Sequence, residues 1–406
     1  MAGLLDGIRI VEWTTFGFGP FAGVMLSDLG ADVIKIEDPN GGDAARNARW
    51  LIGAVDCAMP EGRNALFEAV NRNKRSVTIN FKSERGRDAF FRLMETADVF
   101  LHNFRPGVPE RLGIGYEALA ARFPRLIYAA ASGYGPAGPD ALRPGFDYIG
   151  QARSGIMWAS GSPGDPPLYS TAGTADMIGG IMLAYGVVAA LGGREKLGRG
   201  QRVDVSHLAA TMWLQFWSIG VSQLTHLAEW PRFDRNRAGN PLWNHYQCAD
   251  GQWIALSLLQ PDRYWPDFVE AMGMPELLAD PRFQDLESRH EHSRALVALL
   301  DARFRQEPRA YWEAVFRRYP DFIWDRIQKV TDLPEDPQVI ANKYMVPHQY
   351  PGVGEVYLQN CPVIFSETPG QIRKLAPALG EDTLDVLQGI GYSDEEIAEM
   401  MAEGAV

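Results

Sequence analysis

Ile8-Arg-Ile-Val-Glu-Trp13, the turn Gly17-Phe18-Gly19-Pro20, a helical pattern at Phe21, Val24, Met25, Leu26 and Leu29 closed by Gly30, and then Ala31-Asp-Val-Ile-Lys-Ile-Glu37 together decide the fold. The outer runs are apolar, β-branched and of strand length. The segment between them spaces its apolar residues as a helix does. Strand, helix and strand in that order predict a right-handed crossover between parallel strands. The alternation recurs downstream. Ser76–Phe81 reads as a strand, Glu84–Thr96 as a helix, Asp98–Phe104 as a strand, Tyr116–Arg122 as a short helix and Arg125–Ala131 as a strand. Arg199–Leu208 reads as a further strand leading into a helix from Ala209. The first two hundred or so residues therefore predict a doubly wound α/β layer.

The texture changes elsewhere. Asn40–Asn71 is polar and weakly patterned, as functional loops often are. After about residue 225 the alternation stops, and six of the eleven tryptophans fall between Trp213 and Trp265. Asp250-Gly251, between Tyr246–Ala249 and Trp253–Leu258, signals a hairpin. Amphipathic helices are expected around Tyr264–Met272, Ser293–Phe304 and Arg309–Tyr319, which makes a second, smaller α+β domain. The chain has 406 residues, 46% hydrophobic and 22% charged, enough for a large core. Its net charge of -12 disfavours nucleic acid or an anionic membrane as a partner. Apolar runs are broken by Gly or polar residues before they reach spanning length, and Met1–Arg9 lacks the pattern of a signal peptide. Cys57, Cys248 and Cys361 are scattered, so a reducing, cytoplasmic setting is expected.

Ser170–Gly193 is a Gly/Thr turn opening a helix of small and apolar residues, expected to be buried nearly all round. Its first turn holds one carboxylate, Asp176. Local sequence leaves two readings open: a helix-starting Asp stabilised by orphan amides, or a catalytic carboxylate in a partly dry site. The Gly17-x-Gly19 turn with Glu37 imitates a dinucleotide fingerprint. However, the third glycine falls at Gly23, one residue late, and Pro20 removes an amide, so nicotinamide binding is a poor fit. Arg72, Lys74 and Arg75 lead into a strand, and Arg105, Arg111 and Arg143 lie on loops after strands. Together they suit a phosphate-bearing small molecule. The histidines show no metal spacing. His102 and His207 are acid–base candidates that read more simply as satisfied structural histidines, and no metal site is expected.

These blocks, in their order, resemble the class III CoA-transferases. The likeness is carried by Leu5-Asp-Gly-Ile-Arg9, Leu29-Gly-Ala-Asp-Val-Ile-Lys-Ile-Glu37, Asn73-Lys-Arg-Ser76, Asn103-Phe-Arg-Pro-Gly107, Gly133-Tyr-Gly-Pro136, Arg143-Pro-Gly-Phe-Asp147 and Gly198-Arg-Gly-Gln-Arg-Val-Asp204. It covers roughly the first 210 residues and weakens beyond. The family includes formyl-CoA and carnitine CoA-transferases and α-methylacyl-CoA racemases. The resemblance implies a Rossmann-like large domain built from both chain ends (1–210, with 326–406 forming a linker and the C-terminal return to it). It also implies a linker at 211–228, a small domain at 229–325 and an interlocked homodimer, with a heteromer as the alternative.

The resemblance also places the nucleophilic aspartate on Asp176. Its carboxylate would attack the thioester of a donor such as succinyl-CoA to give a mixed anhydride, then an aspartyl-CoA thioester that a second carboxylic acid opens. An aspartate of ordinary acidity is ionised at neutral pH and needs no base to activate it. CoA contacts carry over onto Ile79, Asn103, Phe104, Arg111 and Arg143. Gly17, Phe146 and Trp50 are expected to line the substrate pocket, with acyl-CoA as substrate and no tightly bound cofactor. Many relatives have Arg where this chain has Asp38, so adenine anchoring is assigned to Lys74 or Arg75. Formyl-CoA enzymes have a polar residue where Gly17 stands. Racemases read Gly-His-Asp where this chain has Gly145-Phe146-Asp147, and Phe146 cannot move a proton. CoA transfer is therefore the leading expectation. Racemisation is the alternative, followed by a non-catalytic subunit of a hetero-oligomer. Trp213, Trp217, Trp230 and Trp243 suggest a bulky or aromatic acid.

Overall fold

The computed structural model describes residues 3–406, and the chain divides into two compact units. The first contains residues up to Trp158, Leu168–Trp230 and Asn342–Val406. Its centre is a six-stranded parallel sheet: β1 (Arg9–Trp13), β2 (Asp32–Glu37), β3 (Lys74–Thr78), β4 (Val99–His102), β5 (Ile127–Ser132) and β6 (Arg202–Ser206). The spatial order is β3-β2-β1-β4-β5-β6, that of doubly wound dinucleotide-type sheets. The order reverses between β1 and β4, and the crevice beyond their carboxyl ends is where such sheets bind ligands.

Both faces of the sheet are covered, as its apolar strands require. On one face Ile10, Val33, Leu101 and Ala129 meet two helices, α1 (Phe18–Asp28) and α5 (Thr174–Leu197), through Ala22, Leu26, Leu183 and Val187. On the other, Val11, Ile34, Phe100 and Tyr128 meet α2 (Glu84–Met94) and α3 (Tyr116–Arg122). The C-terminal helices Thr383–Gly389 and Asp394–Ala402 join this second face through Val386, Leu387, Ile397 and Met400. The chain end is thus tied to the first half of the sequence. A short helix, α4 (Asp147–Ser154), precedes α5, and α6 (His207–Leu214) and α7 (Phe216–Leu224) follow β6.

α5 corrects one expectation: only one stripe is buried, formed by Ala175, Gly179, Gly180, Leu183, Ala184, Val187 and Ala190. Tyr185, Ile181 and Val188 face outward. By length and composition α5 is apolar enough to cross a membrane, yet its small-residue stripe lies against α1 and the sheet.

The second unit contains residues Ala159–Pro167 and Pro231–Ala341. The short first segment lies outside the expected small-domain bounds, which also stopped 16 residues short of Ala341. Three antiparallel strands, Trp243–Gln247, Trp253–Ser257 and Trp324–Ile327, pack on helices Pro261–Ala271, Ser293–Phe304 and Arg309–Phe316. Tyr246, Phe268, Phe304, Trp312 and Phe316 form its core.

A charged cluster lies inside the first unit. Glu12 on β1, Lys35 on β2 and Lys74 on β3 are fully buried. Lys35 Nζ lies 3.2 Å from Glu12 and 2.9 Å from Asp43, and donates to the Thr14 carbonyl at 2.8 Å. Lys74 Nζ lies 2.9 Å from Glu12 Oε2 and donates to Pro20 O, Val70 O and Asn71 Oδ1. Burial pushes the Lys74 ammonium down to about 8 against the pull of Glu12. Burial would lower Lys35 too, but Asp43, Glu12 and Glu37 together hold it above the usual lysine range. Neutralising Glu12 leaves two buried ammonium groups short of their shared counter-charge. Glu12→Gln should therefore cost about 3–5 kcal/mol of stability, read as a lowered midpoint in chemical denaturation. An unchanged midpoint would show that the cluster does not carry its charges as described.

Candidate active site

The loop after β1 begins with Thr14 and reaches Phe16, a non-glycine residue held at φ +61°. Two contacts fix it. Asp43 Oδ1 accepts from the Phe16 amide at 3.0 Å, while Asp43 Oδ2 pairs with buried Lys35. Asn103, just past β4, accepts from Thr15 N at 3.0 Å and donates to Thr15 O at 2.8 Å. Asn103 thus staples together the two loops that flank the switch point, and Gly17 at the start of α1 is delivered to a defined place.

The first turn of α5 meets it there. Gly173, at φ +77°, turns the chain into the helix. The helix start is capped from a distance by Asp147, the first residue of α4. Its Oδ1 accepts from Ala175 N at 2.6 Å and Asp176 N at 3.3 Å, and its Oδ2 accepts from Tyr169 Oη and Gln151 Nε2. Asp176 is therefore not the cap. Its side chain is free to project between Gly17 and His207. A Cβ on Gly17 would lie 2.3 Å from Asp176 Oδ2, so the carboxylate occupies the space a side chain would take. On its other side Asp176 Oδ1 lies 2.6 Å from His207 Nε2. His207 opens α6, is buried, and packs its ring at 4.6 Å from Phe18. The Asp176 side chain keeps 19% exposure, enough to meet a ligand.

Two cavities share Asp176 in their walls, together with Phe16, Gly17 and Phe146. The first, about 180 Å³, lies at the carboxyl ends of β1, β4 and β5 and is bordered by Asn103, Phe104, Arg105, Ser132, Gly133, Arg143 and His207. The second, about 680 Å³, is bordered by Phe21, Leu51, Ile52, Leu66, Val70, Tyr148, Tyr169 and Met177. Phe16 and Phe146 stand edge to face at 5.5 Å between them.

Of the residues singled out in the sequence, Asp176, Gly17, Phe146, Asn103, Phe104 and Arg143 converge here. Arg143 is exposed and paired with Asp140 at 3.1 Å. Lys74 and Arg75 are corrected. Lys74 is enclosed and has its bonding capacity filled within the fold. Arg75 sits near the start of β3, at the opposite end of the sheet, bound by Asp32 and Asp385. Ile79 is corrected likewise, because its side chain is buried in the core beside Phe90 and Leu93. Arg111 is exposed on the helix Val108–Leu112 and does not border the cleft. Trp50 is half exposed under the Arg49 guanidinium, and its neighbours Leu51 and Ile52 reach the second cavity instead. Glu37, the would-be ribose ligand, is held by Arg46 and Ser76 and points into the protein. His102 is buried against Phe104 and accepts from the Phe104 amide; burial pushes it down to about 3, so it stays neutral. Trp213 and Trp217 lie on the exposed surfaces of α6 and α7, away from both cavities.

Two neighbours of Asp176 were undervalued in the sequence: His207, a candidate that read more simply as structural, and Asp147, which was not singled out on its own. The signal for His207 was its place at the end of the predicted strand Arg199–Leu208, just before a helix. The signal for Asp147 was its place in the Gly145-Phe146-Asp147 block.

The chain matches CoA-transferase family III from residue 5 to residue 383. It is 33% identical over 395 residues to an (R)-2-hydroxy-4-methylpentanoate CoA-transferase of Clostridioides difficile, covering 97% of each chain. It is 32% identical over 409 residues to a succinyl-CoA–D-citramalate CoA-transferase of Chloroflexus aurantiacus, covering 99% of this chain and 98% of that one. The crystal structure of a CAIB/BAIF family protein from Brucella suis superposes with a TM-score of 0.85 at 30% identity, over 96% of this chain and all of that one. With its parallel α/β sheet, its carboxylate at the switch-point crevice and these relatives along its whole length, the chain belongs to CoA-transferase family III and is an enzyme of that class.

Proposed function

We propose that the protein moves CoA from an acyl-CoA donor to a carboxylic acid through covalent intermediates on Asp176. The observation that carries this is the position of one carboxylate in the wall shared by two cavities of different chemistry. The cleft bordered by Arg105 and Arg143 suits the CoA arm, with Asn103 and Phe104 along its path. The larger, apolar cavity suits the acyl group and, later, the incoming acid.

The chemistry then divides one difficult exchange into easier ones. The free oxygen of Asp176 attacks the thioester carbonyl and CoA thiolate leaves. The thiolate returns to the aspartyl carbonyl and releases the donor acid. The acceptor carboxylate opens the aspartyl thioester, and the thiolate takes the new acyl group. The N–H groups of the first turn of α1, left without intrahelical partners by helix geometry, start at Gly17 beside this centre and are candidates to stabilise the substrate oxyanion.

Among the described residues bordering the apolar cavity there is no Lys, Arg or His, while Asp147 and Asp176 are both present. A second carboxylate would enter without a partner, which is costly. The preferred acids are therefore monocarboxylic, with a branched or aromatic tail. This moves the expected donor away from succinyl-CoA and toward the kind of acid named for the Clostridioides difficile relative.

The outer surface supports self-association. α7 has no buried residue, and Trp217 and Leu224 on it are 84% and 83% exposed, next to exposed Trp213 and Phe216. A contiguous apolar patch of this kind marks an interaction surface. In this proposal a second copy of the chain covers α6 and α7 to form a homodimer.

Four outcomes are expected. Incubation with 4-methylpentanoyl-CoA and hydroxylamine should convert Asp176 to a hydroxamate, and Asp176→Ala should lose about 10³-fold or more of transferase activity; full activity in that variant would refute the nucleophile. Gly17→Ala must push the carboxylate aside and should cost about 10²-fold in kcat/KM without loss of folding, checked by steady-state kinetics beside a thermal melt. A double Trp217→Glu, Leu224→Glu variant should sediment as a monomer where the parent sediments as a dimer.

A further inference from the structure

We propose that His207 donates the hydrogen bond that stabilises negative charge on Asp176 Oδ1 in the two steps that take place at the aspartyl carbon, an inference that rests on the covalent reading above. Those two steps differ from the outer ones in where the charge develops. When CoA thiolate attacks Cγ of the anhydride, a C–S bond forms and the Cγ=Oδ1 electron pair moves onto Oδ1. Collapse restores that carbonyl and breaks the bond from Cγ to the bridging oxygen, releasing the donor carboxylate. When the acceptor carboxylate attacks the aspartyl thioester, the pair again moves onto Oδ1, and collapse expels CoA thiolate. Donors aimed at a substrate carbonyl cannot serve these steps. The donor must face Asp176 itself.

His207 does so. Its Nε2 is 2.6 Å from Oδ1, while Oδ2 lies over Gly17 beside the cleft, so the two carboxylate oxygens have different tasks. Oδ2 attacks, and Oδ1 stays with the imidazole. The side chain is held on two sides: its ring by Phe18 at 4.6 Å, and its Cβ by α4, where a Cβ on Gly150 would fall 2.6 Å from it. Its helix start is fixed as well, since Ser206 Oγ accepts from Ala209 N and Thr211 Oγ1 donates to the His207 carbonyl.

The tautomer follows from what surrounds the ring. Nδ1 is buried and has no hydrogen-bond partner among the described residues. Placing the proton on Nδ1 alone would leave that donor orphaned and set the Nε2 lone pair against a carboxylate oxygen at 2.6 Å. The proton is therefore assigned to Nε2, where it points at Oδ1. A histidine kept only for packing has no need of this bond, and a buried ring usually has both nitrogens engaged. Here, among the described residues, the one side-chain bond of the ring is to Asp176.

The test compares His207→Leu, which fills similar space without a donor, with His207→Gln, which keeps a side-chain N–H, each first shown to melt as the parent does. Enzyme is mixed with 4-methylpentanoyl-CoA in the absence of acceptor, quenched rapidly, and the CoA adduct on Asp176 followed by peptide mass spectrometry. Loss of one oxyanion donor typically slows a step about 10²–10³-fold. The Leu variant should form the CoA adduct slower by that factor, with KM for acyl-CoA little changed, and the Gln variant should recover most of the loss. A Leu variant that forms the adduct at the parent's rate, or a Gln variant as slow as Leu, overturns the assignment. Absence of any adduct in the parent would instead refute the covalent reading, and this inference with it.

Discussion

Two helix starts can approach this closely only because glycines stand where they meet. Gly17 leaves room for the Asp176 carboxylate, and on the next turn of α5 a Cβ at Gly180 would fall 3.0 Å from Phe18 O and 3.2 Å from Ala22 N. α1 and α5 therefore pack against each other's backbone. This contact converts a generic buried helix into a device for placing a carboxylate. α1 is fixed to β1 and β2 by a short crossover, so whatever packs on its first turn is held at the switch point of the sheet. α5 brings Asp176 there, and Asp147 relieves Asp176 of capping duty, so Oδ1 can meet His207 while Oδ2 faces the cleft over Gly17.

The buried charges act on the same place from behind. Lys74, Glu12, Lys35 and Asp43 form a chain of contacts across β3, β2 and β1 that ends at the Phe16 amide, one residue before Gly17. Apolar residues of similar volume would stabilise such an interior as well or better. What ion pairs add is direction: a lysine amine with four partners tolerates one arrangement of the loops that supply them. The left-handed Phe16 backbone is a strained conformation for a non-glycine residue, and such strain persists only where its surroundings over-determine it. The cluster supplies that constraint, and the loop against Asp176 is kept in one state.

The strands, the crossover helices and the parallel order could be read in the sequence because each is encoded locally, by apolar period and by glycine at the turns. Asp176 could be singled out because no other acid shares its helix before Arg194. Its partners could not. His207 lies 31 residues away and Asp147 lies 29 residues away on the other side, and only the packing of α4, α5 and α6 brings them together. The basic run Arg72–Arg75 misled for a different reason. Composition shows a charge cluster but not which end of a strand it occupies. Lys74 and Arg75 begin β3, whereas ligands of a doubly wound sheet gather at the carboxyl ends. Read with strand direction in mind, Arg105 and Arg143 were the better candidates. α5 was misjudged because small apolar residues all round do not separate a helix enclosed by its own chain from one that leaves a face for another.

Phe146 shows why this site suits acyl transfer better than proton transfer at an α-carbon. Inverting a carbon centre needs two proton-transfer groups on opposite faces of the substrate. Here the ionisable pair, Asp176 and His207, lies together on one side, joined at 2.6 Å. Beside them the cavities are lined by the Phe146 ring, edge to face with Phe16, which neither takes nor gives a proton. The same ring still has a use in the transfer reaction. It lines both the cationic cleft and the apolar cavity, so in the proposed transfer the thioester would present its carbonyl to Asp176 with CoA on one side and the acyl chain on the other. In the proposed reaction a hydrophobic wall at that point would also shield the anhydride from water, and such an intermediate is productive only if thiolate or carboxylate reaches it before water does.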